Sequence, residues 1–357
     1  MPGEIMEKMR IAVIGCGKIA NDAHLRPLSA MEDVEIKYAA DLIEKRARSV
    51  CEKYGVKNAV TDYKIPLGDG EVVAVYVLTP NYSHYTITMD ALKAGKHVFC
   101  EKPITNNYAL SKEMADEADR QNRVLNIGVC NRYHKSVELI KEYVENGRLG
   151  ELYHIYCSFR CFRSIPGLGG AFTSKESSGG GVLIDWGIHF LDLILYIAGV
   201  KIRTVSANTY NKLGWDIPAY VYKDMWAGPP VPTGICDVED MVTGFIRTSG
   251  PSISFNGAWA QNIDEREMFV DFMGDSGGIR LNYGKGFTFY TTENGVLQSV
   301  KPDYNIPNMY EREDLRFIEA ARKGIKTRSN IDNVLESARL LDAIYESAEK
   351  LTEIKLH

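Results

Sequence analysis

The chain has 357 residues, 45% hydrophobic and 25% charged, ordinary globular values and enough length for two domains with full cores. A formal net charge of -5 offers no basic surface to nucleic acid or an anionic membrane, so neither is expected as a partner. Seven cysteines, an odd number without a zinc-like Cys-x-x-Cys pair, read as reduced and mostly buried thiols with no metal site. Met1 to Met9 is charged and lacks the apolar core of a signal peptide, which points to a cytoplasmic protein.

In chain order, Arg10 to Ile14 is a short strand entering Gly15-Cys16-Gly17-Lys18-Ile19-Ala20. In this pattern Gly15 permits a tight strand-to-helix turn, Gly17 lets the backbone approach a pyrophosphate, and Ala20 allows close helix-sheet contact. Alone the pattern is weak. Here a helix and a second strand, Val34 to Ala40, follow it and end at Asp41, where a dinucleotide fold places the acid that binds the adenosine ribose diol. Asp41 also reads as the N-cap of a helix from Leu42 onward. Its charge repels a 2′-phosphate and favours NAD over NADP; Lys45 and Arg46 in the next turn keep NADP open.

Val72 to Leu78 is a continuous apolar strand that stops at Thr79-Pro80-Asn81, with His84 opening the next helix. Lys96 to Cys100 stops at Glu101-Lys102-Pro103. A helix from about 108 to 121 and a strand from 124 to 130 close a doubly wound parallel domain. Ligands of such sheets sit beyond the carboxyl ends of the strands, so Lys18, Ile19, Arg46, Thr79, Asn81, His84, Glu101 and Lys102 join Gly15, Gly17, Ala20 and Asp41 as the cofactor set. His84 reads equally as a loop-fixing residue, and Glu101 as the partner of a local cation.

After Tyr133 come a helix from about 136 to 146, an alternating strand from 152 to 162 and a Gly-rich loop from 166 to 181. The apolar helix 182 to 196 carries Asp185, His189 and Asp192 on one face. Such a stripe is either a satisfied buried network or an acid/base pair facing a pocket. The three ionisable residues argue against a membrane span. Strands near 202–209, 239–247, 252–260, 267–273, 278–283 and 286–292 read as a mostly antiparallel sheet, with a long irregular piece from 211 to 236. Helices near 310–323 and 331–351 end the chain.

Taken together, Gly15 to Ala20, Thr79-Pro80-Asn81 with His84, Glu101-Lys102-Pro103 and Gly179-Gly180-Gly181 into Asp185-x-x-x-His189 resemble the Gfo/Idh/MocA family of NAD(P)-dependent sugar and cyclitol oxidoreductases. The resemblance spans essentially the whole chain. It implies an α/β protein with an N-terminal Rossmann domain, 1–131, and a C-terminal α+β domain, 132–357, built on a large open antiparallel sheet, its last helix packing back on the first domain. It also implies that Lys102, Asp185 and His189 line a catalytic pocket, with Arg160, Arg163 and Trp186 as candidate sugar contacts.

The implied reaction moves a hydride between NAD and a ring hydroxyl of a sugar, glycoside or cyclitol, leaning to C3 of a glucose-type ring. His189 would take the hydroxyl proton, Lys102 would stabilise the developing alkoxide, and Asp185 would orient the hydroxyl and tune His189. Asp192 reads as structural. An inositol dehydrogenase, an NAD-dependent glycosidase and a catalytically silent NAD-sensing regulator are the alternatives. A homo-oligomer, dimer or tetramer, is expected through the outer sheet face, read as carrying Phe255, Trp259, Phe269 and Phe272; the alternative is that the two terminal helices cover that face.

Overall fold

The computed structural model describes residues 8–105 and 107–356, so most of the charged Met1–Met9 stretch lies outside the described residues. The chain divides into two compact units, Met1–Tyr133 with Asn308–Leu335, and His134–Pro307 with Glu336–His357.

In the first unit, β1 (Met9–Ile14), β2 (Val34–Ala40), β3 (Asn58–Val60), β4 (Ala74–Val77), β5 (His97–Glu101) and β6 (Leu125–Gly128) pair in parallel in the order β3-β2-β1-β4-β5-β6. The order reverses between β1 and β4, which opens a crevice at their carboxyl ends. Every residue of β4 is buried, as expected of a strand covered on both faces.

The helix Met309–Lys323 belongs to this unit rather than to the second domain, where the sequence reading put it. Phe317 is fully buried, with its ring edge-on to Tyr76 at 5.2 Å and to Phe99 at 5.6 Å. Behind it the chain docks on the edge of the sheet, where Ile127 N–H donates to Ser329 O at 2.9 Å. Sequence periodicity marks such a helix but not which core receives it.

In the second unit β7 (Leu152–Arg160) lies in the middle of a nine-stranded sheet. β8 (Ile202–Tyr210), β9 (Met241–Thr248), β10 (Ser252–Ala258), β11 (Glu267–Gly274), β12 (Gly277–Asn282), β13 (Phe287–Glu293), β14 (Val296–Val300) and β15 (Ile354–Lys355) complete it, in the order β14-β13-β12-β11-β7-β10-β9-β8-β15. All its ladders are antiparallel except β7 with β10. The sequence reading missed β14 and β15. β14 has no buried residue, so it lacks the apolar alternation that marks a strand.

Strand alternation splits this sheet into two faces. Ile155, Cys157, Phe159, Ile253, Phe255, Val270, Phe272, Ile279 and Leu281 face a core shared with the helices Lys135–Glu145, Ile188–Ala198 and Leu335–Lys350. Phe159 stacks on Phe190 at 5.0 Å, and Phe190 on Tyr283 at 4.4 Å. The final helix therefore belongs to the second unit rather than to the first, where the resemblance put it, and lies on this core face of the sheet, not over the other. Phe255, Phe272 and the fully buried Trp259 are core residues too, which corrects their expected place on the outer face; of the four, only Phe269 is there. The run 175–198 is long and apolar enough by composition to cross a membrane, yet 72% of that window is buried inside the protein. All seven cysteines are unpaired.

Candidate active site

The turn after β1 is shaped by steric limits on Gly15, whose φ is +97° and whose absent Cβ would fall 2.6 Å from the Leu78 carbonyl carbon. No L side chain fits there. Gly17 has nothing within 4 Å of where a Cβ would point, so the backbone there is open to a pyrophosphate. The helix that follows holds a π turn, Ala20–His24, with Ala20 fully buried against the sheet and Ile19 half-buried. Lys18 points to solvent and pairs with Asp22.

At the end of β2, Asp41 Oδ2 accepts Cys16 N–H at 2.9 Å and Oδ1 accepts Ile43 N–H at 2.8 Å. The next helix begins at Glu44 with Ile43 as its cap, so Asp41 is not the helix N-cap. It instead ties the glycine turn to the end of β2, and its carboxylate keeps lone pairs for a diol. Arg46 is exposed in the first turn of that helix. These residues fit a dinucleotide: an open glycine turn, a helix start and an acid at the end of the second strand.

Beyond β4, Thr79 is half-buried and its hydroxyl accepts from Ser83 at 2.7 Å, while Asn81 opens the short turn Asn81–Ser83. His84 is fully buried, its Nδ1 at 2.8 Å from Pro103 O and its Nε2 at 2.8 Å from Thr79 O. Its ring is saturated by backbone, which makes it a loop-fixing residue and removes it from the cofactor contacts. Glu101 is likewise turned inward: Oε1 lies 3.1 Å from His24 Nε2 and Oε2 accepts Lys102 N–H at 3.0 Å. Both carboxylate oxygens are thus engaged within the protein, as the reading of Glu101 as a local partner expects. Lys102 itself is half-buried just past the end of β5, and its bond to Pro103 is cis.

In the second unit the helix bearing the ionisable stripe is not continuous α. Leu183–Gly187 is a π turn, and α-helical geometry runs from Ile188 to Ala198. π turns recur at functional sites because the extra residue re-aims the side chains around it. Asp185 sits in that turn and His189 in the first α turn, both half-buried. Trp259 Nε1 donates to Asp185 Oδ2 at 3.2 Å. Asp192 is 1% exposed and accepts from Ser337 Oγ at 2.7 Å, so the stripe divides into a half-open pair and a satisfied structural acid.

Ahead of the π turn, Glu239 fixes the glycine run. Its carboxylate accepts Gly181 N–H at 2.9 Å, Leu183 N–H at 3.0 Å and Tyr345 O–H at 2.9 Å. A Cβ on Gly181 would sit 1.9 Å from Glu239 O, which explains the glycine. The acid lies at the positive end of the helix, a favourable place for negative charge, although burial pushes its pKa up against those hydrogen bonds. Glu239 was not singled out from the sequence, and Trp259 only as an outer-face residue, because each lies more than 50 residues from its partner and no local pattern links them.

Trp186 is half-buried with the Arg266 guanidinium 5.8 Å from its ring. Arg160 is on the sheet face opposite the helix, because the residue before it, Phe159, points into the core; its guanidinium is held by Glu267 through Nε at 3.0 Å. That placement engages Arg160 with Glu267 on the face away from the Asp185–His189 helix. Arg163, at φ +54°, donates to Asn262 Oδ1 at 2.8 Å and lies 5.7 Å from the Tyr220 ring, so it fastens the loop rather than standing free for a sugar.

Comparison with known proteins agrees with this architecture. Residues 9–129 match the model of the oxidoreductase family NAD-binding Rossmann fold, and residues 137–280 match the GFO/IDH/MocA C-terminal domain. The chain is 31% identical to D-glucoside 3-dehydrogenase of Escherichia coli (strain K12), covering 98% of this chain and 97% of that protein. It is 33% identical to myo-inositol 2-dehydrogenase of Thermotoga maritima over 56% of this chain and 58% of that one. The fold superposes on levoglucosan dehydrogenase in complex with NADH and levoglucosan with a TM-score of 0.85 at 22% identity, covering 98% and 99% of the two chains. The first unit is thus an NAD-binding Rossmann domain, and the chain belongs to the Gfo/Idh/MocA family of oxidoreductases.

Proposed function

We propose that the protein is an NAD-dependent dehydrogenase of a ring secondary hydroxyl in a sugar, glycoside or cyclitol, acting by preference at C3 of a glucose-type ring. The observation that carries the reading is half-buried Asp185, held by Trp259, with half-buried His189 one helical turn on, at a glycine-locked helix start in a chain whose other unit binds NAD. The full-length similarity to a D-glucoside 3-dehydrogenase supports the position attacked.

Bound NAD supplies the hydride acceptor. His189 takes the hydroxyl proton as the C–H bond breaks, since an alcohol is too weak an acid to ionise first at neutral pH. Lys102 donates to the oxygen as alkoxide charge builds, and stabilises charge present only in the transition state. Asp185, its other face held by Trp259, orients the hydroxyl and the imidazole. The test is incubation with NAD and a panel of glucosides, free sugars and inositols, following reduced nicotinamide by absorbance and product by mass. A 3-keto glucoside is expected. Release of free aglycone would instead mark a glycosidase, and NAD binding without any reduction a regulator.

In the same reading the protein works in the cytoplasm, which its unpaired cysteines support, and forms a homo-oligomer through the sheet face opposite the helices. That face carries half-buried Tyr156, Phe245 and Phe269 beside the Arg280–Asp271 pair, a mixed surface suited to a second copy. Light scattering should give a multiple of the 40.0 kDa chain; a mass near 40.0 kDa would sink this assembly.

A further inference from the structure

Lys102 lies in a turn gripped on both sides by buried histidines. On the near side His24, at the end of the π turn, is wholly buried between two acids: its Nδ1 is 2.8 Å from Asp314 Oδ1 and its Nε2 is 3.1 Å from Glu101 Oε1. The second oxygen of Glu101 accepts the backbone N–H of Lys102 at 3.0 Å. On the far side His84 bridges Pro103 O and Thr79 O, both at 2.8 Å. The residues immediately before and after Lys102 are therefore each held by an imidazole, and three separate parts of the fold converge on one tripeptide.

The chemistry of these contacts bears on the proton count: at His84 both partners are backbone carbonyls, and at His24 both are carboxyl groups, of which Asp314 has its own pKa pushed up by burial. A backbone carbonyl only accepts, and an ionised carboxylate only accepts. A neutral imidazole has one N–H, so at each histidine one ring nitrogen would otherwise press a lone pair against an oxygen lone pair at hydrogen-bonding distance. We propose that His24 and His84 are doubly protonated positioning residues which lock the Glu101–Lys102–Pro103 turn and so set where the Lys102 side chain meets the reacting hydroxyl. The inference rests on the reading of Lys102 given above.

The surroundings support it. The titratable groups facing His24 are Asp314 and Tyr310 from the helix Met309–Lys323, Glu101 from β5 and Tyr76 from β4. Burial alone lowers the His24 pKa, but the charges and hydrogen bonds of Asp314 and Glu101 outweigh it and push it up to about 10. At His84, Cys100 from β5 and the two carbonyls likewise outweigh burial, to about 9. Both rings hold their second proton across the neutral range.

The experiment uses the full chain. Nitrogen NMR of ring-labelled histidines at pH 8, assigned through His24→Gln and His84→Gln, should show both nitrogens protonated in these two rings; a neutral tautomer in either overturns the proposal. In folded His24→Gln and His84→Gln, kcat should fall on the order of 10- to 100-fold, the cost of a catalytic group displaced by a fraction of its reach, while KM and the NADH Kd change by less than about threefold. A wild-type kcat, or a loss of NADH binding equal to the loss of kcat, overturns it. Should those variants not fold, Asp314→Asn decides: it leaves an oxygen acceptor but removes a charge, so the alkaline fall of kcat should move to lower pH, and an unmoved limb overturns the proposal. Full activity in Lys102→Ala would remove the underlying reading, an outcome separate from the ring-proton measurement.

Discussion

Replacing Asp41 tests the cofactor site where its geometry is most explicit. In Asp41→Ala three things are lost: the acceptor for the ribose diol, the negative charge, and the bonds to Cys16 N–H and Ile43 N–H. A hydrogen bond to a charged group contributes about 1.5–3 kcal/mol, so NADH should bind roughly 10- to 100-fold more weakly. For NADPH the same substitution removes a repulsion. Two unit charges about 4 Å apart interact by ~4 kcal/mol at an effective dielectric of 20, and Asp41 is half-exposed, so about half of that is a fair figure. Together these shift the NADPH-to-NADH preference on the order of 10²-fold or more. The lost backbone bonds act on stability instead, at about 1 kcal/mol each. Asp41→Asn, which keeps an acceptor oxygen without the charge, separates the two effects. Fluorescence titration of both reduced cofactors against wild type and both variants is the assay. A preference ratio unchanged within threefold would show that Asp41 only ties the glycine turn to β2, and would refute the diol assignment.

His189→Ala and Lys102→Ala should each lower turnover on the order of 10²-fold with NADH binding intact, and full activity in either would remove that residue from the chemistry. Trp259→Phe keeps the buried ring but loses the N–H donated to Asp185; kcat/KM should drop by about tenfold, the equivalent of ~1.4 kcal/mol, and an unchanged value would mean that Asp185 needs no support there. His97 is pushed down to about 4, first by burial and then by the charge of Arg123, and its Nδ1 accepts Val124 N–H at 3.0 Å. Its neutral form is the native one, so between its unfolded value near ~6.5 and about 4 the unfolded chain binds the extra proton; stability should fall as pH drops through that window. Urea midpoints at stepped pH should show a flatter acid slope in His97→Phe, and an identical slope would exclude His97 as a cause.

Local patterns were enough for much of this protein. Gly15 to Ala20 lets a backbone approach phosphate and the acid at the end of the next strand suits a ribose diol, while the apolar run Val72 to Leu78 between turn residues marks a buried strand, of which Ala74–Val77 is covered on both faces. The same holds for the stripe of Asp185, His189 and Asp192, whose spacing alone put it on one face. Asp192, a turn further from the glycine run, already read as structural; what spacing could not show is the partner that closes it, Ser337, 145 residues away, or that Asp185 meets Trp259 at 74. His84 and Glu101 sit at the carboxyl ends of strands, where ligands bind, yet their side chains turn inward because His24, Thr79 and Pro103 offer partners there. The face on which Arg160 lies was hidden for a related reason, since the face a strand end presents depends on register with its neighbours. The helix Met309–Lys323 joins the first unit because its Phe317 fits between Tyr76 and Phe99. Periodicity and turn chemistry are properties of a short segment and can be read from it; the partner of a buried polar group or an apolar face is chosen among distant segments by packing, and only the folded chain brings those together.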